Sequence, residues 1–339
     1  MISEIKIEEV FSLGIPIVDV RSPGEFQKGH IPKAVNIPLF SNEERAHVGT
    51  VYKQNSKEAA LKIGYTYVEP KLNSFISESL KIAPNKSIIV HCWRGGMRSQ
   101  SFAKHLSENG FDDVKVIIGG YKAYRNHVLT NLEKPFHLKV LGGYTGSGKT
   151  QILHELKKLK NQVIDLEGLA NHKGSAFGGI GQKEQPTVEQ FENNLHHALQ
   201  KLNPLQPIWV EDESHNIGRV KIPIQFFHQI RDAKLYFLDI PKNERAIFLV
   251  SEYANINTQA LKDSILRISK RLGDLNTRKS IQLLDKEKFY EVALISLHYY
   301  DKFYLKGMER RKPNEVLQIK LPTTNHYNNA LEIKKMANT

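Results

Sequence analysis

The chain has 339 residues, of which 40% are hydrophobic and 25% are charged, so it is long enough for about two globular domains. No run of about 18 apolar residues is present, which excludes a membrane-spanning helix, and the N-terminus lacks a basic and then apolar leader. Cys92 is the only cysteine, which excludes an internal disulfide and a multi-cysteine zinc site. We therefore expect a protein of the reducing cytoplasm.

Basic residues exceed acidic residues, 48 against 36, and the formal net charge is +12. Most of the excess follows Glu133. A basic surface attracts polyanions, of which nucleic acid is the commonest. The charge therefore indicates a nucleic-acid partner, or else no more than a basic solvated surface.

The first part of the chain alternates apolar runs with helix-like segments. Three runs have the length and composition of buried strands: 15–20, 86–91 and 114–118. Two segments are typical of helices: 99–109 and 121–132. Strands and helices in this order predict a parallel α/β sheet, and we place this domain at residues 1–133.

A second α/β domain is predicted at residues 134–339. Its strands are expected at 136–141, 163–166, 207–211, 233–238 and 315–320. A glycine-rich loop and a helix over 150–159 follow the first of them. From about 255 to 310 the pattern becomes helical, with leucine on one face and basic residues on the other, so we expect a basic helical C-terminal region.

The only cysteine opens a loop between a predicted strand and a predicted helix. The loop reads Cys92, Trp93, Arg94, Gly95, Gly96, Met97 and Arg98. Two glycines allow successive N–H groups to point inward, which makes an anion-binding nest at a helix N-terminus. A thiol there should have a lowered pKa, so Cys92 is the candidate catalytic residue and the other six are candidate anion ligands. A buried structural cysteine is the alternative.

This loop resembles that of the rhodanese family, and further matches lie at 19–26, 29–38 and 118–121. The resemblance implies a cysteine that carries sulfur or selenium as a persulfide or perselenide. One departure is the length of the loop, since Cys92 to Arg98 spans seven residues, as in rhodanese-fold phosphatases, where simple sulfurtransferases usually have six. A wider loop favours a phosphate ester or a selenophosphate.

The glycine-rich loop of the second domain matches the P-loop pattern in full. It consists of Gly143, Tyr144, Thr145, Gly146, Ser147, Gly148, Lys149 and Thr150. Its amides would hold a di- or triphosphate, Lys149 would neutralise phosphate charge, and Thr150 would hold Mg²⁺ if a metal is used. This P-loop NTPase-like domain completes the predicted fold.

Acidic residues at predicted strand ends are candidates for a second part of this site. They are Asp165, Glu167, Glu211 and Asp212, with Glu213 adjacent. In P-loop proteins a carboxylate at such a position often holds Mg²⁺ through water, although a solvated acidic turn is the alternative. The polar stretch 171–178 is either a substrate loop or a plain connection.

The order of the two domains and the amino-acid sequences of both resemble those of the tRNA 2-selenouridine synthase family. The similar segments are 44–54, 91–99, 119–125, 143–150, 165–178, 211–214 and 299–301. The resemblance implies a transferase that replaces the 2-thio sulfur of a wobble uridine in tRNA with selenium from selenophosphate. It also implies geranyl diphosphate as a co-substrate that first converts the sulfur to an S-geranyl group. No tightly bound cofactor is expected, and the sequence leaves open whether Mg²⁺ is used.

The two loops suggest a division of labour. We expect the P-loop to bind geranyl diphosphate in place of ATP, because its amides and Lys149 would stabilise a diphosphate leaving group. Cys92 would handle selenium, with the loop amides and Arg98 holding the phosphate of selenophosphate. Whether Cys92 forms a perselenide or only positions the reagent stays open at this point.

The RNA is expected to lie over the basic second half of the chain. The candidate contacts recur at helix-like spacing: Arg267, Lys270, Arg271, Arg278 and Lys279. Three tyrosines, Tyr299, Tyr300 and Tyr304, would either stack on an unpaired base or belong to the core. Two rival functions stay open: a rhodanese-fold phosphatase fused to a P-loop kinase, and a non-enzymatic RNA-binding module whose loops sense anions.

Overall fold

The structure is a computed structural model that describes residues 1–253, 257–308, 311 and 315–337, without the side chains of 303–308. The chain divides into two compact units. The first comprises Met1–Asn131 with Glu192–Asn194, and the second comprises Leu132–Phe191 with Leu195–Thr339.

The first unit is a five-stranded parallel sheet flanked by helices. Its strands are β1 (Ile2–Ile5), β2 (Ile17–Asp19), β3 (Val35–Asn36), β4 (Ser87–His91) and β5 (Asp113–Ile117), in the order β1-β5-β4-β2-β3. Its helices are α1 (Ile7–Val10), α2 (Pro23–Lys28), α3 (Asn42–Gln54), α4 (Lys57–Val68), α5 (Leu72–Ile82), α6 (Met97–Glu108) and α7 (Gly120–Leu132). Helices on both faces bury the central strands, so Ile88, Ile89 and Val90 are fully buried in succession.

The second unit is also built on a five-stranded parallel sheet. Its strands are β6 (Leu138–Gly143), β7 (Gln162–Val163), β8 (Ile208–Glu211), β11 (Leu235–Asp239) and β12 (Val316–Lys320), in the order β12-β11-β6-β8-β7, and β9 (Asn216–Ile217) and β10 (Val220–Lys221) form a separate antiparallel pair. The sheet-side helices are α8 (Lys149–Lys158), α9 (Leu166–Ala170), α10 (Val188–Leu199), α11 (Ile224–Asp232), α12 (Lys242–Tyr253) and α17 (His326–Met336).

The predicted basic helical region consists of four separate helices. They are α13 (Thr258–Arg267), α14 (Ser269–Leu272), α15 (Asp274–Asp285) and α16 (Phe289–Met308). Gly273, at φ +85°, separates α14 from α15 because it adopts a left-handed conformation that other residues rarely take. These helices have a core of their own around Leu261, Ile265 and Leu284.

The predicted fold class is confirmed: two parallel α/β sheets follow one another, the second with a helical C-terminal part. The predicted strand over 163–166 is too long, since β7 ends at Val163. Asp165 stops it, because its side chain accepts a hydrogen bond from Gly168 N–H at 2.6 Å and caps α9. No helix among the described residues is long and apolar enough to cross a bilayer.

Candidate functional site

The Cys92 loop lies at the carboxyl end of β4, where a parallel sheet normally presents its ligand site. The loop leads directly into α6, whose N-cap is Gly96. Hydrogen bonds of 2.9 Å from Tyr121 N to Cys92 O and from Lys122 N to Trp93 O tie it to the start of α7. The loop is therefore held between two helix N-termini.

Two glycines allow this close packing. Gly95 has φ +65°, and a Cβ there would lie 2.5 Å from the carbonyl oxygen of Ile117. Gly120 has φ +57°, and a Cβ would lie 2.4 Å from the carbonyl oxygen of Cys92. Any larger residue would push the loop away from the sheet.

The thiol of Cys92 lies at the base of the loop, with 3% of the residue exposed, while Trp93 (38%) and Met97 (51%) stand out above it. Its Sγ lies 3.3 Å from the hydroxyl oxygen of Ser99. Burial opposes ionisation of the thiol, but the Ser99 hydroxyl and backbone N–H groups of the loop outweigh it and lower the pKa of Cys92. The positive charge of Arg98 acts in the same direction. The lowered pKa favours the thiolate form of Cys92 at the base of the loop, beside the N-terminus of α6.

Arg98 is placed by an acidic partner that sequence reasoning did not assign to the site. Its Nη1 donates to Glu25 Oε2 at 2.9 Å, and Arg45 Nε lies 3.6 Å from the same oxygen. Burial opposes ionisation of Glu25, but these two cations and the N–H of Ser22 lower its pKa. Because the Glu25 carboxylate binds the Arg98 guanidinium, the Arg98 side chain has a fixed orientation beside the loop.

A buried ion pair supports the loop from below. Arg21, 1% exposed, donates to both carboxylate oxygens of Asp19, and its guanidinium carbon lies 3.7 Å from the ring centroid of Tyr121. His91 Nε2 lies 3.7 Å from Asp19 Oδ2. These contacts fix the end of β4, and therefore the position of the cysteine that follows it.

The P-loop follows β6 in the second unit and leads into α8. Gly146 (φ +81°) and Gly148 (φ +68°) adopt left-handed conformations, and a Cβ on Gly148 would lie 2.5 Å from His326 Nε2. Ser147 Oγ donates to Tyr144 O at 2.6 Å and closes the turn. The loop backbone is therefore curled at the N-terminus of α8, where N–H groups and the helix dipole favour a phosphate group.

The side chains around the P-loop form a charged cluster. Lys149 Nζ lies 3.4 Å from Gly143 O, and Thr150 Oγ1 donates to Glu167 Oε2 at 2.7 Å. Glu213 is buried beside Glu167, and burial together with the Glu167 charge raises the pKa of Glu213 well above its usual value, although Lys149 opposes this. The carboxylates face the position where Thr150 would hold a cation.

These oxygen donors suit Mg²⁺, which prefers hydroxyl, carboxylate and water ligands. The hydroxyl of Thr150 and the carboxylate of Glu167 are the groups that would hold the ion, together with phosphate oxygens and water. Among the described residues there is no group of three or more His, Cys, Asp or Glu side chains arranged for a metal.

Two of the candidate carboxylates, Glu211 and Asp212, make contacts that differ from those expected of metal ligands at strand ends. Glu211 is fully buried and accepts from Leu166 N–H at 2.9 Å, and burial and neighbouring carboxylates raise its pKa well above the usual value. Asp212 pairs with Arg231 at 3.0 Å and Arg311 at 2.6 Å and does not line the P-loop cavity.

Asp165 is the helix cap already described, and it also lies 2.9 Å from His154 Nε2. It lines the cavity, as do Glu167 and Glu213. The sequence placed these carboxylates by strand ends alone, whereas their tertiary contacts decide which of them line the P-loop cavity.

A cavity of about 410 Å³ extends from the P-loop into the helical region. Its polar end is formed by the P-loop and by the predicted substrate stretch 171–178, of which Lys173 and Ser175 take part. Most of the remaining wall is apolar and aromatic: Phe177, Phe248, Tyr253, Leu261, Ile265, Leu284, Phe289, Val292 and Tyr300. Polar side chains of Gln182, Glu252 and Ser296 also reach it. One end thus suits phosphate and the other suits hydrocarbon.

Arg245 is a site residue that sequence reasoning missed. It is 3% exposed, donates to Thr145 O at 3.0 Å, and pairs with both oxygens of Asp301 at 2.9 and 3.0 Å. It also lies 4.9 Å from the ring centroid of Tyr144. An arginine 100 residues from the P-loop in sequence has no local signal, because only the tertiary fold brings it under the loop.

The five basic residues expected to contact RNA are all exposed on α13, α14 and α15. Arg278 pairs with Asp274 at 2.8 Å, and Arg271 donates to the hydroxyl of Tyr299 at 3.3 Å. Tyr299 packs against the helical core, whereas Tyr300 lines the P-loop cavity. The side chain of Tyr304 lies outside the described residues.

Comparison with known proteins connects both loops to one group of enzymes. The family model described as the tRNA 2-selenouridine synthase AAA domain matches residues 136–331, and the rhodanese-like domain model matches residues 6–127. The chain belongs to the tRNA 2-selenouridine synthase family. The family resemblance predicted from the sequence is thereby confirmed.

Relatives with this name match almost end to end. The tRNA 2-selenouridine synthase of Nitrosomonas europaea is 34% identical over 366 residues, covering 92% of this chain and 94% of the relative. The synthase of Sulfurovum sp. is 37% identical over 331 residues, covering 87% and 89%. Among solved structures, the yeast protein tyrosine phosphatase Ygr203w of the rhodanese family is 15% identical, with a TM-score of 0.25 over 38% of this chain and 87% of that one.

Proposed function

We propose that this protein is a tRNA-modifying transferase that replaces the 2-thio sulfur of a wobble uridine with selenium, by way of an S-geranyl intermediate. The observation that carries this proposal is the shape of the P-loop cavity. A kinase needs polar groups that recognise a base and ribose, whereas this cavity continues from the P-loop into a wall in which apolar and aromatic side chains predominate. Phosphate at one end and hydrocarbon at the other fit a prenyl diphosphate.

In the first step the 2-thio sulfur attacks C1 of geranyl diphosphate. A C–S bond forms, the C–O bond breaks, and diphosphate leaves with the electron pair while the N3 proton of the base passes to water. The amides of the P-loop and Lys149 stabilise the negative charge that develops on the diphosphate. The apolar wall holds the ten-carbon chain away from water.

The S-geranyl group makes the second step easier, because a thiolate leaves from carbon more readily than a thiocarbonyl sulfur does. Selenium attacks C2, the C2–S bond breaks, and geranylthiolate departs and takes a proton from water. The proton of hydrogen selenide passes to N3, which restores the ordinary protonation of the base.

Leaving-group chemistry favours phosphorus over selenium as the atom that Cys92 attacks. A perselenide on Cys92 would form only if the thiolate attacked selenium and the P–Se electron pair left as phosphite, which reduces phosphorus from the +5 to the +3 state and makes phosphite the leaving group, whereas attack at phosphorus releases selenium as the stable hydrogen selenide anion. The seven-residue loop, the lowered pKa of Cys92 and the neighbouring Ser99 hydroxyl instead suit a thiolate that attacks a phosphate-sized group.

The attack forms an S–P bond and breaks the P–Se bond, and selenium leaves with the electron pair as hydrogen selenide anion. Water then hydrolyses the S–P bond to phosphate and the free thiol. Loop amides would hold the phosphoryl oxygens during both displacements, and Arg98, oriented by Glu25 beside the loop, would contribute positive charge. The exposed basic residues of α13, α14 and α15 are the proposed RNA contacts.

One experiment tests the whole scheme. The protein is incubated with 2-thiouridine tRNA, geranyl diphosphate and selenophosphate, and the nucleosides are analysed by mass spectrometry. The expected products are S-geranyl-2-thiouridine without selenophosphate and 2-selenouridine with it. Cys92-dependent hydrolysis of a phosphate ester and Lys149-dependent ATP turnover without RNA would support the rival phosphatase–kinase fusion, and RNA binding without either product would support the binding module.

A further inference from the structure

A second cavity, of about 770 Å³, lies entirely within the first unit and extends away from the Cys92 loop between the helices. It is a groove bounded by α3, α4, α5 and α6. Apolar and aromatic side chains make its floor and walls: Phe40, Val48, Leu61, Val68, Phe75 and Phe102. Tyr52 and Tyr65, both more than half exposed, stand at its opening.

The groove begins at the Cys92 loop. Met97 and Arg98, the last two residues of that loop, form part of its lining. Arg45, which also lines it, lies 3.6 Å from the Glu25 carboxylate that orients Arg98. A group reacting above Cys92 therefore has a hydrocarbon-lined channel beside it.

Two helix-interior glycines widen the groove. Gly49 in α3 and Gly64 in α4 both line it. A Cβ on Gly64 would lie 3.4 Å from Phe40 Cζ, and a Cβ on Gly49 would displace the end of Arg45. Glycine destabilises a helix interior relative to alanine. These two positions therefore leave room in the groove but lower the stability of their helices.

The rim of the groove is basic. Three exposed lysines line the groove: Lys53, Lys57 and Lys104. The lining also includes two acidic residues, Glu69 and Glu108. With Arg45 and Arg98, which also line the groove, the basic residues outnumber the acidic ones around the apolar channel. A ligand with a hydrocarbon tail and a polyanionic body matches that distribution.

We propose that this groove receives the geranyl chain of the S-geranyl nucleoside while its C2 atom faces the Cys92 loop, and that it then holds the departing geranylthiol. The inference rests on the proposed function and adds a second prenyl site to it. The P-loop cavity would hold the donor, because it has the amide cradle for a diphosphate. The groove would hold the acceptor's chain, because its basic rim can receive RNA.

The test begins after the first chemical step. An anticodon stem-loop RNA carrying synthetic S-geranyl-2-thiouridine is mixed with selenophosphate and excess protein, and single-turnover formation of 2-selenouridine is followed. The same RNA carrying S-methyl-2-thiouridine serves as the short-chain comparator. The natural chain should react at least about tenfold faster at subsaturating protein, since about two buried methylene groups account for that factor.

Two variants fill the groove, Val48→Trp and Leu61→Trp. Their matched controls, Ala46→Trp and Lys62→Trp, alter exposed positions of the same helices outside the groove. The filled variants should lose about tenfold on the S-geranyl RNA and stay within about twofold on the S-methyl RNA. Both controls should behave as the unmodified protein on both substrates, and all four should retain geranyl transfer from geranyl diphosphate.

The outcomes separate the two levels of the proposal. Failure of the unmodified protein to convert S-geranyl RNA would count against the proposed function itself. Normal conversion that is equal in filled variants and controls would overturn the groove assignment. Equal losses on the long and short chains would also overturn it, because they would indicate damage to the Cys92 loop. Loss of geranyl transfer in the filled variants would show that the groove holds the donor instead.

Discussion

The hydroxyl of Thr150, the last residue of the P-loop, donates a 2.7 Å hydrogen bond to the carboxylate of Glu167. Glu167 in turn lies beside Glu213, whose pKa is raised by burial and by the Glu167 charge. The P-loop therefore faces an acidic wall. A diphosphate alone would be repelled by it, so a cation or a proton must accompany the ligand.

Replacing Glu167 tests this relationship. Glu167→Gln keeps an acceptor for Thr150 but removes a negative charge, and we expect geranyl transfer to fall about 10- to 100-fold if the carboxylate helps to place a cation. The measurement is the initial rate of S-geranyl formation as the Mg²⁺ concentration is varied. Glu184→Gln, an exposed change, is the control. A faster Glu167→Gln enzyme at every Mg²⁺ concentration would contradict the cation role.

Lys149→Ala should abolish the first step. Loss of the P-loop ammonium removes a positive charge from the developing diphosphate, so geranyl transfer is expected to fall about 10²- to 10³-fold. Selenium transfer to synthetic S-geranyl RNA should be unchanged. Lys157→Ala, in the last turn of α8, controls for the loss of a lysine from the same helix. If selenation falls equally, the two loops do not divide the reaction as proposed.

Cys92→Ser should have the opposite effect, with geranyl transfer intact and selenation abolished. Ser99→Ala keeps the thiol but removes the hydroxyl 3.3 Å from Sγ, so the pKa of Cys92 should rise. Selenation near neutral pH should then slow by about threefold to tenfold and recover as the pH increases. Thiolate absorbance and the selenation rate, both followed against pH, provide the two readouts. An unchanged titration would separate Ser99 from thiol activation.

A phosphoryl group bound to Cys92 can be detected directly by isotope labelling. Selenophosphate labelled with ³²P should leave protein-bound label in a rapid quench, and Cys92→Ser should remove it. A selenium isotope pattern on the peptide without phosphorus would instead identify a perselenide. This measurement needs no RNA, so it tests the role of the thiol independently of the tRNA reaction.

Glu211 makes the stability of the second unit dependent on pH. Its pKa is raised in the folded state, mainly by burial, so the folded protein favours the protonated form. The stabilisation is complete below the unfolded value near 4.5 and is lost as pH rises toward the folded value. Glu211→Gln keeps the acceptor for Leu166 N–H and should gain stability relative to the unmodified protein by up to about 1.4 kcal/mol per pH unit in that window. Thermal unfolding between pH 5 and pH 8 measures the difference, and parallel curves would contradict it.

The basic helices predict a salt-dependent affinity for tRNA. Lys270→Glu combined with Arg271→Glu should weaken binding and reduce the log–log salt slope by about 0.7–0.9 for each phosphate group that the protein no longer neutralises. Lys201→Glu, exposed elsewhere in the second unit, is the control. Fluorescence anisotropy over a range of salt concentrations gives the slope. An unchanged slope would remove these helices from the RNA interface.

Local sequence patterns predicted much of this protein. Apolar runs indicated both parallel sheets, and the glycine spacing marked both anion loops, because a left-handed backbone at positions such as Gly95 and Gly148 is a local requirement. The strand at 163–166 was too long because apolar composition does not reveal a capping aspartate that competes for the backbone.

Sequence by itself determined the position of the two loops, since each is a contiguous segment whose glycines and backbone conformation are local features. Only the tertiary structure decided which distant groups complete them. Arg245 reaches Thr145 across 100 residues, Glu25 holds Arg98 across 73, and Asp212 turns away to its arginine partners. The hydrocarbon-lined cavities were also invisible in the sequence, because an apolar side chain that faces a cavity has the same pattern as one that fills a core.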